Sequence, residues 1–334
     1  MPSRTPSPAF DVIAIGESLR DVFYMMHEKN QDVHLDTERN LLCLEYAEKI
    51  PVQAVVKVPA AGNSSNAAVG VSRLGLKSAL VSWVGNDDAG KVAQAALKKD
   101  RVDPRYMVVD PTYPTSEATI LNFKKERTQF VYFQPRKYTL PKLASTRCIY
   151  YSAMGEKHSD FDKTLVHYLM AHPEIFFVFQ PGTTHVLGGL KGIKNLISLS
   201  GLFILNLDEA HHLMPDGERT MLNLLERFHA LGAKTVIITD GNNGAHGYDG
   251  KEHWFMPIVP AKVLEKTGAG DSFATAVTVA FLKDKHLSEA LRWGAVNSAS
   301  VVGAVGPQAG LLTATKMAEH LKKHAKYKAV QIHP

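Results

Sequence analysis

Short apolar runs rich in β-branched residues return along this chain, each followed by a segment with helical periodicity. "FDVIAIG" (Phe10–Gly16), "SALVSWVG", "IFFVFQPG", "LFILNLDEA" and "AKTVIITDG" lack polar alternation, so they are expected as strands buried on both faces. Between them, "NSSNAAVGVSRLG", "DAGKVAQAALKK", "THVLGGLKGIKNLISL" and "GERTMLNLLERFHALG" have helical character. Such alternation admits few folds: a mostly parallel sheet with right-handed crossovers and helices on both faces. With 334 residues the chain can form one large α/β domain or two medium ones.

Two stretches break the alternation, residues 19–60 and 113–138. In the first, "LLCLEYAEKIP" and "VQAVVKVPA" look like antiparallel strands; in the second, "SEATILNFK" and "TQFVYFQP" look like a hairpin around "KERT". Both are expected to join in one small sheet outside the core, serving as a lid, an oligomer contact, or both.

The formal charge is +5, with lysines and arginines scattered among acids. A nucleic-acid binder would be better marked by a basic stripe interleaved with aromatics, so an anionic small-molecule ligand fits better. No run of about 18 apolar residues suggests a membrane span. Cys43 and Cys148 form neither a disulfide framework nor a CxxC site, which fits a reducing cytoplasm. The opening "MPSRTPSPAF" has no apolar core of a secretory signal, and residues 1–9 are expected as a disordered tail.

In open parallel sheets, ligands sit at the carboxyl ends of strands, where loops enter helices. Four loops there carry chemistry. In "EKTGAGDSFATA" (Glu265–Ala276), glycines at 268 and 270 remove Cβ atoms in front of a helix whose first N–H groups lack partners, a geometry suited to an anion. The helix shows apolar Phe273, Ala276, Val277, Ala280 and Phe281 on one face. Asp271 is either a helix cap or a base facing a hydroxyl. "NLDEA" offers Asn206, Asp208 and Glu209, either as oxygen ligands around hydrated Mg²⁺ or as a solvated helix start. "TDGNNGAHG" is a glycine-rich turn able to approach a nucleotide or merely to reverse the chain. "AAGNSSNAAVG" places Asn63, Ser64, Ser65 and Asn66 where they can bind a polyol or cap a helix, with Asn63 or Ser64 as the cap. No P-loop and no GxGxxG fingerprint is present. His211-His212 lacks the spacing of a metal site, the three tryptophans read as packing residues, and Arg127 and Arg136 are either exposed or face an anionic substrate.

In this order, "AGNSSNAAVGVSRLG", "WVGNDDAG", "NLDE", "TDGNNG" and "GAGDSF" resemble the motifs of the PfkB (ribokinase-like) family of carbohydrate and nucleoside kinases, over residues 10–325. The resemblance implies a three-layer α/β/α ribokinase-like core with a β lid, one kinase domain over residues 10–330, and ATP-dependent phosphorylation of an alcohol. It implies Asp271 as general base and Gly268, Ala269 and Gly270 as an anion hole. It implies Mg²⁺ organised by Asn206 and Glu209 through water, and ATP lined by Asn206, Thr239, Gly241 and Gly244 with Asn297 near the adenine. It also implies sugar hydroxyls held at Asp21, Gly62 and Asn66, and a monovalent cation such as K⁺ near Glu265 and Thr267. A homodimer through the lid is common in the family it resembles. A nucleoside kinase and a non-catalytic sugar- or nucleotide-binding protein are the competing readings. Three positions depart from the usual pattern: Glu265-Lys266 replaces Asp-Thr, Ala61-Gly62 replaces paired glycines, and Gln180-Pro181 replaces Asp-Pro.

Overall fold

The computed structural model describes residues 7–333. The expected tail over residues 1–9 lies, through residue 6, outside the described residues; its last residue is anchored, Ala9 N–H donating to Ser145 Oγ at 3.1 Å. Strand β1 (Phe10–Ile15) opens the core. Four strands follow, β2 (Leu19–Met26), β3 (Val33–Asp36), β4 (Leu41–Leu44) and β5 (Val52–Ala61), ahead of helix α1 (Asn63–Arg73). Next come β6 (Ser78–Gly85), α2 (Asp88–Lys99), β7 (Val102–Asp110) and the hairpin of β8 (Ser116–Phe123) and β9 (Glu126–Tyr132). The second half alternates through β10 (Thr146–Tyr151), α3 (Ser159–Ala171), β11 (Phe176–Phe179), α4 (Thr183–Leu187), α5 (Gly189–Leu199), β12 (Leu202–Asn206), α6 (Leu207–Leu213), α7 (Met221–Ala230) and β13 (Val236–Thr239). Strands β14 (Ala245–Tyr248) and β15 (His253–Met256) precede helices α8 (Ala269–Leu282), α9 (Leu287–Val301) and α10 (Ala314–Lys323), and β16 (Val330–Ile332) ends the chain.

The main sheet has ten strands in the order β16-β15-β14-β13-β12-β11-β10-β1-β6-β7. From β7 to β13 the pairs are parallel, and the last three strands extend one edge antiparallel. Successive residues of a strand point to opposite faces, and here both faces are covered. Val12 and Ala14 of β1 pack with α1, α8 and α9, whereas Ile13 and Ile15 pack with α3, α5 and α7. The core is therefore three-layered, as the apolar runs require.

The two stretches that broke the alternation meet in a four-stranded sheet of order β5-β2-β8-β9. Its centre is a parallel pair, β2 with β8, flanked by antiparallel partners. The pairing expected within the first stretch differs in detail. Strand β4 pairs with β3 and not with β5, because the chain turns at Tyr46-Ala47, where Ala47 takes φ 66°. The long helix expected over 184–199 is two, broken where Gly189 takes φ 74°. Helix α8 also differs from its expected one-sided burial. Ser272 to Ala280 are all buried, while Phe281 at its far end is only partly so. A helix apolar all round belongs in the middle of a core. Small residues let its neighbours approach: a Cβ on Gly70 of α1 would meet Thr275 at 2.7 Å, and one on Gly294 of α9 would meet the Phe273 ring at 2.8 Å. Among the described residues no helix is long and apolar enough to cross a membrane.

Candidate active site

The start of α8 faces the root of the lid sheet. Gly268 is its N-cap, in the left-handed region at φ 80°, where a Cβ would also collide with Pro307 at 2.4 Å. Asp271 lies three positions inside the helix and does not cap it, which removes one of the two roles its sequence position allowed. A Cβ on Gly270 would meet nothing closer than Gln180 Nε2 at 4.0 Å, so its glycine leaves open space for a ligand instead of relieving a clash. The first-turn N–H groups of a helix have no intrahelical acceptor; here the Ala269 N–H donates to Lys266 O at 3.3 Å.

Three side-chain amides hold the Asp271 carboxylate. Asn63 Nδ2 donates to Oδ1 at 2.9 Å, Asn66 Nδ2 to Oδ2 at 2.8 Å, and Gln180 Nε2 to Oδ1 at 3.3 Å. Helix α1, which delivers both asparagines, is capped by Gly62 at φ 94° without a side-chain cap, which corrects the expectation that Asn63 or Ser64 caps it. A Cβ on Gly62 would press on Glu17 O at 2.6 Å. The amides are themselves oriented. Gln308 Nε2 donates to Asn66 Oδ1 at 3.0 Å, and Tyr150 OH donates to Gln180 Oε1. Asn66 is thus engaged by protein at both its Oδ1 and its Nδ2, which aims it at Asp271. Burial pushes the Asp271 carboxyl above the usual aspartate range, against the lowering by Asn66, Gln180, Arg127 and Asn63.

Asp21, on β2, is buried and pushed up to about 8, by burial first and then by the charges of Asp271 and Glu265, with Arg127 opposing. Arg127 thus acts electrostatically on both aspartates from the lid hairpin. Arg136 does not meet a ligand. Its side chain is fully buried, paired with Asp110 at 3.0 Å and with Glu17 at 3.6 Å, and donates to Tyr113 O at 3.1 Å.

A cavity of about 390 Å³ runs from Thr239, Gly241 and Gly244 past Met256–Val259 to Ala269 and Gly270. Its walls are mostly apolar and backbone-lined, as suits a flat heterocycle ending in phosphates. Asn297 was expected there but is fully buried elsewhere: its Nδ2 donates to Ser272 O at 2.8 Å and its Oδ1 accepts from Leu312 N at 3.1 Å. Its neighbours Ser298 and Ala299 line the wall in its place. Asn206 and Glu209 form a reciprocal capping box on α6, with bonds of 2.8 and 2.9 Å. Glu209 is pushed up to about 7, chiefly by burial, with the Asp271 and Asp208 charges adding to it. These are acids that repel one another around a cleft, a donor set that suits a hydrated divalent cation.

Glu265 is buried. Its Oε1 accepts from Thr267 N at 2.6 Å and Thr267 Oγ1 at 2.5 Å, and its Oε2 has no partner among the described residues. Lys266 does not neutralise it: the ammonium pairs with Glu126 of the lid hairpin.

The model of the pfkB family carbohydrate kinases matches residues 26–314. The chain belongs to the pfkB family. It is 24% identical over 312 residues to an ATP-dependent 6-phosphofructokinase of Thermoanaerobacterium thermosaccharolyticum, covering 89% of either chain. It is 26% identical over 299 residues to a nucleoside kinase of Methanocaldococcus jannaschii, covering 83% of this chain and 92% of that one. Among solved structures it is similar to Arabidopsis thaliana ribokinase complexed with ribose and ATP, with a TM-score of 0.76 at 18% identity, over 94% and 99% of the two chains. The ribokinase-like fold is thereby shown.

One further cluster carries metal-type donors: His158, Asp162 and His185, outside the cleft just described. Gly182 N–H donates to His185 Nδ1 at 3.2 Å, which leaves the proton on Nε2 of the neutral ring and no lone pair toward the cluster. Asp162 is already bonded by Tyr151 OH and by His158 Nδ1 at 2.8 Å. The cluster is a satisfied hydrogen-bond network. Gln180, Gln308 and Tyr150 were not singled out from sequence as site residues; the one available signal was that Gln180 departs from the family's usual aspartate.

Proposed function

We propose that this chain is an ATP-dependent kinase that transfers the γ-phosphoryl group to a hydroxyl of a sugar or sugar-like substrate. The observation that carries the reading is Asp271: a carboxylate held by three amide donors beside a glycine-opened helix start, between the lid and the apolar cavity. ATP lies in that cavity against Thr239, Gly241 and Gly244, with its phosphates toward Gly268–Gly270. Asp21 and the lid hold the acceptor. The acceptor hydroxyl gives its proton to Asp271 as its oxygen bonds to the γ-phosphorus. The bond from that phosphorus to the β–γ bridging oxygen breaks, and ADP leaves. Such transfer depends on positioning and charge stabilisation, the services of a helix N-terminus and an aimed base. Glu209 and Asn206 would hold Mg²⁺ through water, and the ion would supply charge screening at the phosphates. The unpartnered Glu265 Oε2 and Thr267 fit a monovalent cation such as K⁺ beside the anion hole.

Residues 10–330 form one catalytic domain with lid segments 19–60 and 113–138, and the exposed β9 edge of the lid, with Phe130 and Tyr132 outward, fits a homodimer contact in the cytoplasm. The relatives' names support sugars and ribosides alike, so the acceptor is chosen by experiment: ADP release from Mg-ATP across sugars, sugar phosphates and nucleosides. Activity on nucleosides alone makes this a nucleoside kinase. Asp271→Asn is expected to lower kcat at least ~10²-fold, the scale of losing a general base, while nucleotide still binds. Unchanged turnover overturns the base assignment, and binding without any turnover across the panel favours a non-catalytic binding protein.

A further inference from the structure

Lys266 stands where the family pattern usually has threonine, and its surroundings give that departure a use. Lys266 lines the cavity together with Ala269 and Gly270, at the end assigned above to phosphates. Its ammonium pairs with Glu126, the first residue of β9, at the tip of a hairpin whose turn residues Lys124 and Lys125 both take positive φ, 50° and 69°. The two side chains are 35% and 62% exposed. Ion pairs this open are held weakly, because water and salt screen them and two long side chains must be ordered to make them. A triphosphate concentrates several negative charges, and a lysine ammonium binds phosphate as a compact point charge with three donors. Threonine has neither the charge nor the reach for either partner.

We propose that Lys266 binds the nucleotide's phosphates and that Glu126 of the lid is its competing partner, so that nucleotide and lid hairpin exchange one cation. This rests on the reading of the cavity as a nucleoside triphosphate site. A bare latch predicts something else. If the pair merely pinned the lid, removing either partner would move nucleotide affinity in the same direction. If Lys266 binds phosphate, the two removals act with opposite signs.

The test is calorimetric titration of the full chain with the non-hydrolysable triphosphate AMP-PNP and Mg²⁺, at low and moderate salt. Lys266→Met is expected to weaken binding about tenfold, the scale of one lost charge-assisted contact, with a shallower salt dependence. Lys266→Arg should retain most of the affinity. Glu126→Gln, an exposed change that leaves the core intact, should tighten binding a few-fold. Weakening by both Lys266→Met and Glu126→Gln, or an effect of neither, overturns the exchange while wild-type binding leaves the kinase reading standing. Absence of AMP-PNP binding by the wild type would sink both.

Discussion

A carboxylate in the first turn of a helix is ordinarily stabilised as the anion by the helix dipole, by some tenths of a kcal/mol up to about 2. At Asp271 burial outweighs that, and the carboxyl is pushed up even though three amides donate to it. The direction suits a base, because a carboxylate with raised affinity takes a hydroxyl proton more readily. Gln180 bears on this directly. An aspartate at that position, as the family usually has, would set a like charge against Asp271 in place of a donor. Gln180→Glu is therefore expected to raise the Asp271 pKa further and shift the acidic limb of the kcat/KM pH profile upward, by about one pH unit for a close like charge. An unmoved limb would show that Gln180 does not tune the base. The glycines and Asp271 were legible in the sequence because they are local: a left-handed cap and an open first turn are written in adjacent letters. The amides were not, since Gln180 and Asn66 lie 91 and 205 residues from Asp271 and meet it only when the sheet closes. For the same reason Asn63 and Asn66 read locally as caps or polyol ligands, and Asn297, which the resemblance sets near the adenine, is bonded inside the core instead.

At the scale of elements, the parallel sheet was legible because strands covered on both faces must be largely apolar, and β1 and β6 are, with Asp11, Ser78 and Ser82 their only polar residues. The lid was legible as a place, through its alternation, but its pairing was not, because a turn such as Tyr46-Ala47 decides partners without marking them. Its root also escaped the sequence. Glu17 leaves β1, Ser116 starts β8, and Arg136 follows β9; they converge with Asp110 in one buried knot, where Ser116 Oγ donates to Glu17 at 2.8 Å. Arg136 thus ties the lid strands to the core. Removing one partner of a buried ion pair leaves an uncompensated charge, costing about 3–5 kcal/mol. Arg136→Met is expected to lose stability of that order in denaturant unfolding. Burial already pushes Glu17 up to about 7, so the orphaned carboxyl can protonate, and the loss should be smaller at pH 5 than at pH 8. A loss equal at both, or below about 1 kcal/mol, would mean that the knot is not what secures the lid.

Across the whole molecule, the raised carboxyls make a statement about pH. Glu17 and Glu209 are pushed up to about 7 and Asp21 to about 8, in each case mainly by burial. An acid whose folded pKa exceeds its unfolded value binds protons more tightly when folded, so its contribution is complete below about pH 4 and is lost as pH rises through the folded value. Asp162 runs the other way: with His158 and His185 beside it, its carboxyl is held well below the usual range, and its contribution is lost as pH falls through acid. Between these opposing slopes the free protein should be most stable near pH 4 and lose stability from there to about pH 8, the interval in which the unfolded carboxyls are ionised and the folded ones still hold protons. The melting temperature is expected to fall by several degrees over that interval, at roughly 2–4 °C per kcal/mol for a chain of a few hundred residues. Asp21→Asn removes one of the titrating groups and should flatten the slope. Mg-nucleotide should flatten it too, since cations entering the cleft offset the same charge, and by mass action it raises the melting temperature most where the free protein is weakest. Scanning calorimetry from pH 5 to 9, with and without Mg²⁺ and AMP-PNP, checks this. A melting temperature that is flat or rises from pH 5 to 8 in the free protein would mean that these carboxyls are already ionised in the fold and that burial does not hold them protonated.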